Sequence, residues 1–219
     1  MATGFTGTAS NSSLESSACP DRRKRQMTRT FYSIGHSSQS IDAFIELLYL
    51  HRIEVVADVR SHPVSRFAPQ FNSESLREHL RGRNIRYVSL GRELGGRPSD
   101  ARFYDPEGYV LYSEIAESPA FLEGIRRLEK GVREFRVAIM CSEEDPCSCH
   151  RRLLVGRVMA AHGCEVRHVR VNGQVQSEED LVKEESRRAS PTLFPVPWRS
   201  VFPLRQRQKG FDTVETQGQ

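Results

Sequence analysis

The stretch that most constrains this chain is residues 135–169, FRVAIMCSEEDPCSCHRRLLVGRVMAAHGCEVRHV. Val137, Ala138, Ile139 and Met140 form a continuous apolar run of strand length, the pattern of a strand buried on both faces. The chain then turns polar at once. Residues 141–149 hold three acids, an Asp-Pro break and three cysteines. Leu154, Val158 and Ala161 follow at helical spacing. Ser148 is the expected N-cap of that helix, and Gly163 is placed to take the left-handed conformation that ends it after His162. Cys164 to Val169 reads as a further strand. Strand, loop, helix and strand make a βαβ unit, so the polar loop lies at the carboxyl end of the first strand, where open α/β sheets bind ligands.

The preceding residues repeat this alternation. Thr30–Ile34 reads as a strand closed by Gly35, His36 and Ser37, and Ser40 caps a helix carrying Ile41, Phe44, Ile45, Leu48 and Tyr49. Val55–Ala57 is a second buried strand, running into Asp58, Val59 and Arg60 and then into a loop with His62, Pro63, Arg66, Phe67 and Phe71. Ser73 is the expected cap of a short helix through Leu76 and Leu80, and Ile85–Leu90 is a third strand. Residues 91–108 are irregular, and residues 109–130 are helical in two pieces broken near Pro119. The expected fold class is therefore α/β: a single three-layer domain on a mostly parallel sheet over residues 30–172. Residues 1–29 read as a flexible leader and residues 173–219 as a charged, Pro- and aromatic-rich tail. Within that tail, 178–188 reads as a charged helix, and the stretch with Trp198 and Phe202 either docks on a partner or packs over its own domain.

A length of 219 residues suits one domain with tails. The formal charge is only +4, but its basic residues are nearly all arginine, which suits bidentate contacts to carboxylate or phosphate. This permits a phosphate-bearing small molecule or a nucleic acid as partner without demanding one. No apolar run is long enough to span a membrane and no signal-peptide segment opens the chain, so a cytoplasmic protein is expected. In that compartment the five cysteines read as free thiols or metal ligands.

YSIGHSSQSIDAF, VVADVRSHPVSRF, the Leu94–Gly96 LGG, CSEEDPCSCHR and the closing His168–Val169, in this order, resemble the motifs of the bacterial family called domain of unknown function 488. The resemblance covers about residues 31–169 and implies a compact α/β domain without implying a reaction. Its pattern falls on His36, Ser37, Asp58, Arg60, Pro63, Gly95, Gly96, Cys141, Glu143, Cys149, His150 and Arg151, with Cys147 as an extra cysteine. In layout the chain is also similar to rhodanese-type domains, in which the loop after a strand-end cysteine cradles an anion or persulfide. Here the interval from Cys141 to Arg151 is longer and contains Pro146, which has no N–H to donate.

His36, Asp58 with Arg60, and Cys141 with Glu143 each follow a buried strand, so parallel neighbours would turn them toward one crevice. Three functions compete for it. In the first, an enzyme of hydrolase or transferase type binds a phosphate-bearing substrate. Glu143 is then the acid, base or nucleophile, assisted by His36 or Asp58, and Arg60 and Arg151 are the anion contacts, with Ser37, Gly95, Gly96 and His150 as further substrate-binding positions. In the second, Cys141 or Cys149 carries thiol or sulfur-transfer chemistry, since a helix start stabilises a thiolate. The third is a non-catalytic binding module in which these groups hold loops. No cofactor is required by any of them. Cys141, Cys147, Cys149 and His150 form an alternative Zn²⁺ ligand set, although the spacing C-x5-C-x-C-H matches no common zinc pattern.

Overall fold

The computed structural model describes Met1, residues 29–188 and residues 197–204. The expected leader, Phe194, Pro195 and the end of the tail lie outside the described residues. Six strands form one sheet in the order β3-β2-β4-β1-β5-β6, where β1 is Arg29–Gly35, β2 Val55–Asp58, β3 Arg86–Ser89, β4 Val137–Cys141, β5 Cys164–Val169 and β6 Val175–Ser177. All pairings are parallel except β5 with β6. The apolar run of β4 is buried at every position because β4 lies between β1 and β2 and is covered on both faces.

Two layers of helix provide that cover. On one face α1 (Ile41–Leu50) and α2 (Ser73–Arg81) bring Phe44, Leu48, Leu76 and Leu80 onto Tyr32, Ile34, Val56, Ala138 and Met140. On the other, α4 (Tyr112–Glu117), α5 (Pro119–Glu134) and α6 (Arg157–Ala161) bring Ile115, Phe121, Ile125, Leu128 and Met159 onto Phe31, Val55, Val137 and Ile139. The expected three-layer α/β domain is therefore the fold. The two helical pieces around Pro119 are also as expected, with Ser118 Oγ accepting from the N–H of Phe121 at the start of the second.

Two local expectations are corrected. Ser40 caps α1, accepting from the N–H of Ala43, but Ser73 is the first residue of α2 and not its cap. The cap position there belongs to Asn72, whose Oδ1 accepts instead from the N–H of Ser65 across the preceding loop. Ser148 likewise caps nothing. It ends a 3-10 turn, Pro146–Ser148, that Asp145 caps, Cys149 is extended, and the helix opens at Arg151 with a π-helical turn, Arg151–Gly156, that continues into α6. The wide turn accompanies the burial of both Arg151 and Arg152. The far end is as expected, with His162 at the C-cap and Gly163 at φ +79°.

The folded unit also runs past residue 172. β6 adds to the sheet, and α7 (Glu178–Arg188) follows it and buries Leu181. Buried Arg152 holds α7 through Glu178 and Glu185. Residues 197–204 lie over their own domain, the blander of the two expectations. Trp198 Nε1 donates to the carbonyl of Leu153 at 2.7 Å, with the Arg157 guanidinium 4.4 Å from the ring centroid, and the N–H of Ser200 donates to Val110.

Candidate functional site

β1 and β4 are adjacent, but their connections leave in opposite directions along the sheet, β1 toward β2 and β4 toward β5. A crevice opens at such a switch point, at the carboxyl ends of the strands. Cys141 is the last residue of β4 and stands at its floor. The loop that follows is fixed from behind. Arg151, fully buried, donates to the carbonyl oxygens of Glu143 and Glu144 and to Ser33 Oγ, and the N–H groups of His36 and Ser37 donate to the carbonyls of Cys141 and Ser142. Gly35 lets the loop come this close, since a Cβ there would overlap the carbonyl of Glu143.

With the loop held, four side chains meet. Glu143 Oε2 lies 2.7 Å from Cys141 Sγ and 3.2 Å from Cys149 Sγ, each within hydrogen-bond reach of a thiol. His150 Nδ1 lies 3.8 Å from Cys141 Sγ and 3.9 Å from Cys149 Sγ. Its Nε2 is 3.0 Å from the carbonyl oxygen of Val59, which can only accept, so Nε2 carries the hydrogen and Nδ1 faces the sulfurs. A side chain at Gly96 would overlap the His150 ring, which explains why glycine suits that position.

The two thiols differ in acidity. Burial favours the neutral form of Cys149, but a hydrogen bond from Cys141 and the charges of Arg151 and His150 outweigh it and hold this thiol well below its ordinary range. Cys141 is pushed well above that range by its hydrogen bond to Cys149, by burial and by Glu143. Against the burial that opposes charging, His150 is raised by Cys149 and by the Val59 carbonyl. Cys149 is thus the more acidic thiol of the pair. Cys141, Cys149 and His150 form the one group among the described residues whose sulfur and nitrogen donors converge as metal ligands would. Cys147 does not join them. Its N–H donates to Asp145 Oδ1, and burial together with Asp145 pushes its thiol up to about 12.

His36, Asp58 and Arg60 form a neighbouring cluster. Asp58 accepts from the N–H, Nε and Nη2 of Arg60 and from Tyr87 OH, and Arg60 Nη1 donates to His36 Nε2 at 3.2 Å. His36 Nδ1 then carries its hydrogen to the carbonyl of Ser37. Its ring stacks on Phe71 at 4.2 Å, and burial lowers its pKa, so it is neutral. These three groups largely satisfy one another.

A cleft of about 290 Å³ exposes the first cluster and only the edge of the second. Cys141, Glu143, Cys149 and His150 line it together with Arg60, Gly96 and Tyr112, while exposed His62 and Arg97 stand among its walls. One wall is Ser200, Val201, Phe202 and Leu204, from the segment anchored by Trp198. Other expected site residues are outside it. Arg151 faces the loop carbonyls and cannot meet an anion in the cleft. Ser37 adopts φ 49° to give its N–H to Ser142, and Gly95 ends the short helix α3 (Gly91–Leu94) against Ser61. Arg97, His62, Tyr112 and the 200–204 wall escaped the sequence reading. The aromatic and proline-rich stretch around Trp198 reads as docking on a partner or packing over its own domain, but nothing local ties it to the cleft.

No helix among the described residues is long and apolar enough to cross a membrane. No curated protein and no solved structure matches the chain. A family model, described as domain of unknown function DUF488, matches residues 40–158, more than half of the length and nearly all of the site. The chain therefore belongs to the DUF488 family.

Proposed function

We propose that this chain is an enzyme that acts on a phosphate-bearing substrate, a nucleotide or a nucleic-acid end, by hydrolysis or group transfer in the cleft at the ends of β4 and β2. The observation that carries this reading is Glu143, an exposed carboxylate over the two sulfurs in a cleft whose walls include the Arg97 guanidinium and the His62 imidazole. Arg97 is exposed in the cleft wall, where its guanidinium can make a bidentate phosphate contact. Glu143 then serves as the acid–base group, and the exposed ring of Phe202 offers a face on which a base can stack. A metal at the Cys141, Cys149 and His150 cluster is the cofactor of this reading, and two sulfurs with an imidazole select Zn²⁺. Free thiols in such a site suit the reducing cytoplasm.

The test is turnover of a panel of nucleotides, dinucleotides and phosphomonoesters, followed by chromatography. Glu143→Gln is expected to lower kcat by about 100-fold or more with its fold retained by circular dichroism, and Arg97→Met to raise KM. Turnover that survives Glu143→Gln would sink the reading.

One observation favours a second reading, sulfur transfer: Cys141, Arg151 and His150 lower the pKa of Cys149 and favour its thiolate. In it the Cys149 thiolate attacks the outer sulfur of thiosulfate, a persulfide forms and sulfite leaves. Mass spectrometry after incubation with thiosulfate decides between the two, because only the second gains one sulfur on Cys149.

A further inference from the structure

We propose that Cys141, Cys149 and His150 bind one Zn²⁺, and that Glu143 closes its coordination as a fourth ligand that water or substrate displaces. The use made of the opened position rests on the enzyme reading; the ligand set does not.

Three features of the cluster lead to this assignment. The first is distance. A tetrahedral Zn²⁺ about 2.3 Å from sulfur and about 2.0 Å from nitrogen holds those ligands roughly 3.6 Å apart. The His150 Nδ1 to sulfur separations are 3.8 and 3.9 Å, within a few tenths of that edge. Such spacing is too long for a strong hydrogen bond and suits two donors with an ion between them. The second is the orientation of His150. Its Nε2 is anchored on the Val59 carbonyl, the arrangement by which a ligating imidazole is commonly held, and this turns the Nδ1 lone pair toward both sulfurs. The overlap that any side chain at residue 96 would make keeps the ring there.

The third is the carboxylate. Two buried thiols and one acid oxygen face a single point, with Glu143 Oε2 2.7 and 3.2 Å from the sulfurs. These two contacts are shorter than the roughly 3.5 Å edge between sulfur and oxygen on zinc, so the carboxylate must swing outward when an ion enters. It is able to do so: Glu143 is exposed on the cleft side, whereas Cys141, Cys149 and the His150 ring are fixed by strand, loop and carbonyl. Three ligands held by the framework and one held by a mobile side chain are the elements of a site that can expose a coordination position. A displaced Glu143 would remain beside the bound water as its base, joining its two roles.

The experiment uses the full chain, purified reduced. Elemental analysis and competition with a chromophoric chelator are expected to give one Zn²⁺ per chain, and Co²⁺ substitution to give intense near-ultraviolet sulfur-to-metal charge transfer from two thiolates. Cys141→Ser, Cys149→Ser and His150→Gln are each expected to weaken Zn²⁺ binding by about 100-fold or more, with circular dichroism reporting their fold. Cys147→Ser is expected to change nothing. Glu143→Gln is expected to keep the stoichiometry while the visible Co²⁺ bands shift as water replaces the carboxylate. Folded, reduced wild-type protein that takes up neither ion overturns the assignment, and so does binding that depends on Cys147. Unchanged Co²⁺ bands in Glu143→Gln remove the fourth ligand. Zinc without turnover of any phosphate substrate overturns the enzyme reading alone, while turnover by a folded, reduced chain that takes up neither ion overturns the zinc site alone.

Discussion

Arg151 Nε lies 3.0 Å from Ser33 Oγ, a contact that joins the start of the helical segment after β4 to the middle of β1. The serine passes the bond on. Its hydroxyl donates to His168 Nδ1 at 3.0 Å, and His168 Nε2 donates to Glu178 at 3.2 Å, so one chain of hydrogen bonds runs from the site loop to α7. With His168 neutral, each donor in this chain has an acceptor.

Arg151→Met is therefore expected to destabilise the domain by about 2–4 kcal/mol, because the carbonyls of Glu143 and Glu144 and the Ser33 hydroxyl lose their buried donor together. Urea denaturation followed by circular dichroism measures this. The same variant should loosen the loop that carries Glu143, seen as faster amide exchange over residues 142–150. A loss under ~0.5 kcal/mol would mean that the loop does not depend on this side chain.

Asp58→Ala is expected to cost about 3–5 kcal/mol, since it leaves Arg60 buried without its carboxylate. Tyr87→Phe removes only one hydrogen bond to Asp58 and should cost about 1 kcal/mol. If Asp58 acts in catalysis beyond holding Arg60, its loss will lower kcat in conditions where the variant is still folded.

Acid should unfold the domain in two stages. His168 and His36 have folded pKa values below the unfolded value near 6.5, in both cases chiefly through burial. The unfolded chain therefore binds those protons first, and stability that is complete above about pH 6.5 declines as pH falls below it. Glu178 resists the burial that would raise its pKa, and His168 and Arg152 hold it down at about 2 against an ordinary 4.5. Its contribution is complete above about pH 4.5 and is lost as pH falls toward 2. Denaturation midpoints from pH 8 to 3 test the order, and His168→Gln should flatten the first stage and shrink the second to the part that Arg152 supplies.

Trp198→Ala should release the segment that walls the cleft. The indole bond to Leu153 and the packing under Arg157 are lost, for about 2 kcal/mol. Limited proteolysis should then cut near residue 197, and any substrate affinity that depends on Phe202 should fall with it. A variant as protease-resistant as wild type would show that the backbone bonds of Tyr112 and Ser200 hold the segment by themselves.

Much of this was legible in the chain. Periodicity and length located β1, β2, β4, β5 and α1, because a strand buried on both faces and a helix with one apolar stripe have local signatures. Two caps, Ser73 and Ser148, were misjudged because Ser73 already lies inside α2 and Ser148 ends a 3-10 turn that Asp145 caps. The helix at 178–188 was legible in its charged pattern, but the expected boundary at residue 172 left it and β6 outside the domain, to which Arg152, Leu181 and strand pairing to β5 hold them.

For the site, the sequence by itself determined which groups follow the buried strands, since strand direction turns Cys141, Asp58 and His36 toward the same end of the sheet. Strand order sorted them. With β4 between β1 and β2, Cys141, Glu143, Cys149 and His150 met at one point, His36, Asp58 and Arg60 closed on one another, and Cys147 was left outside. Only the tertiary structure could turn Arg151 from an apparent anion contact into a buried prop, or bring Phe202 to a cleft whose floor is Cys141. Residue type and spacing specify what a side chain can bond to; which partner it meets depends on chain segments packed against it from far along the sequence.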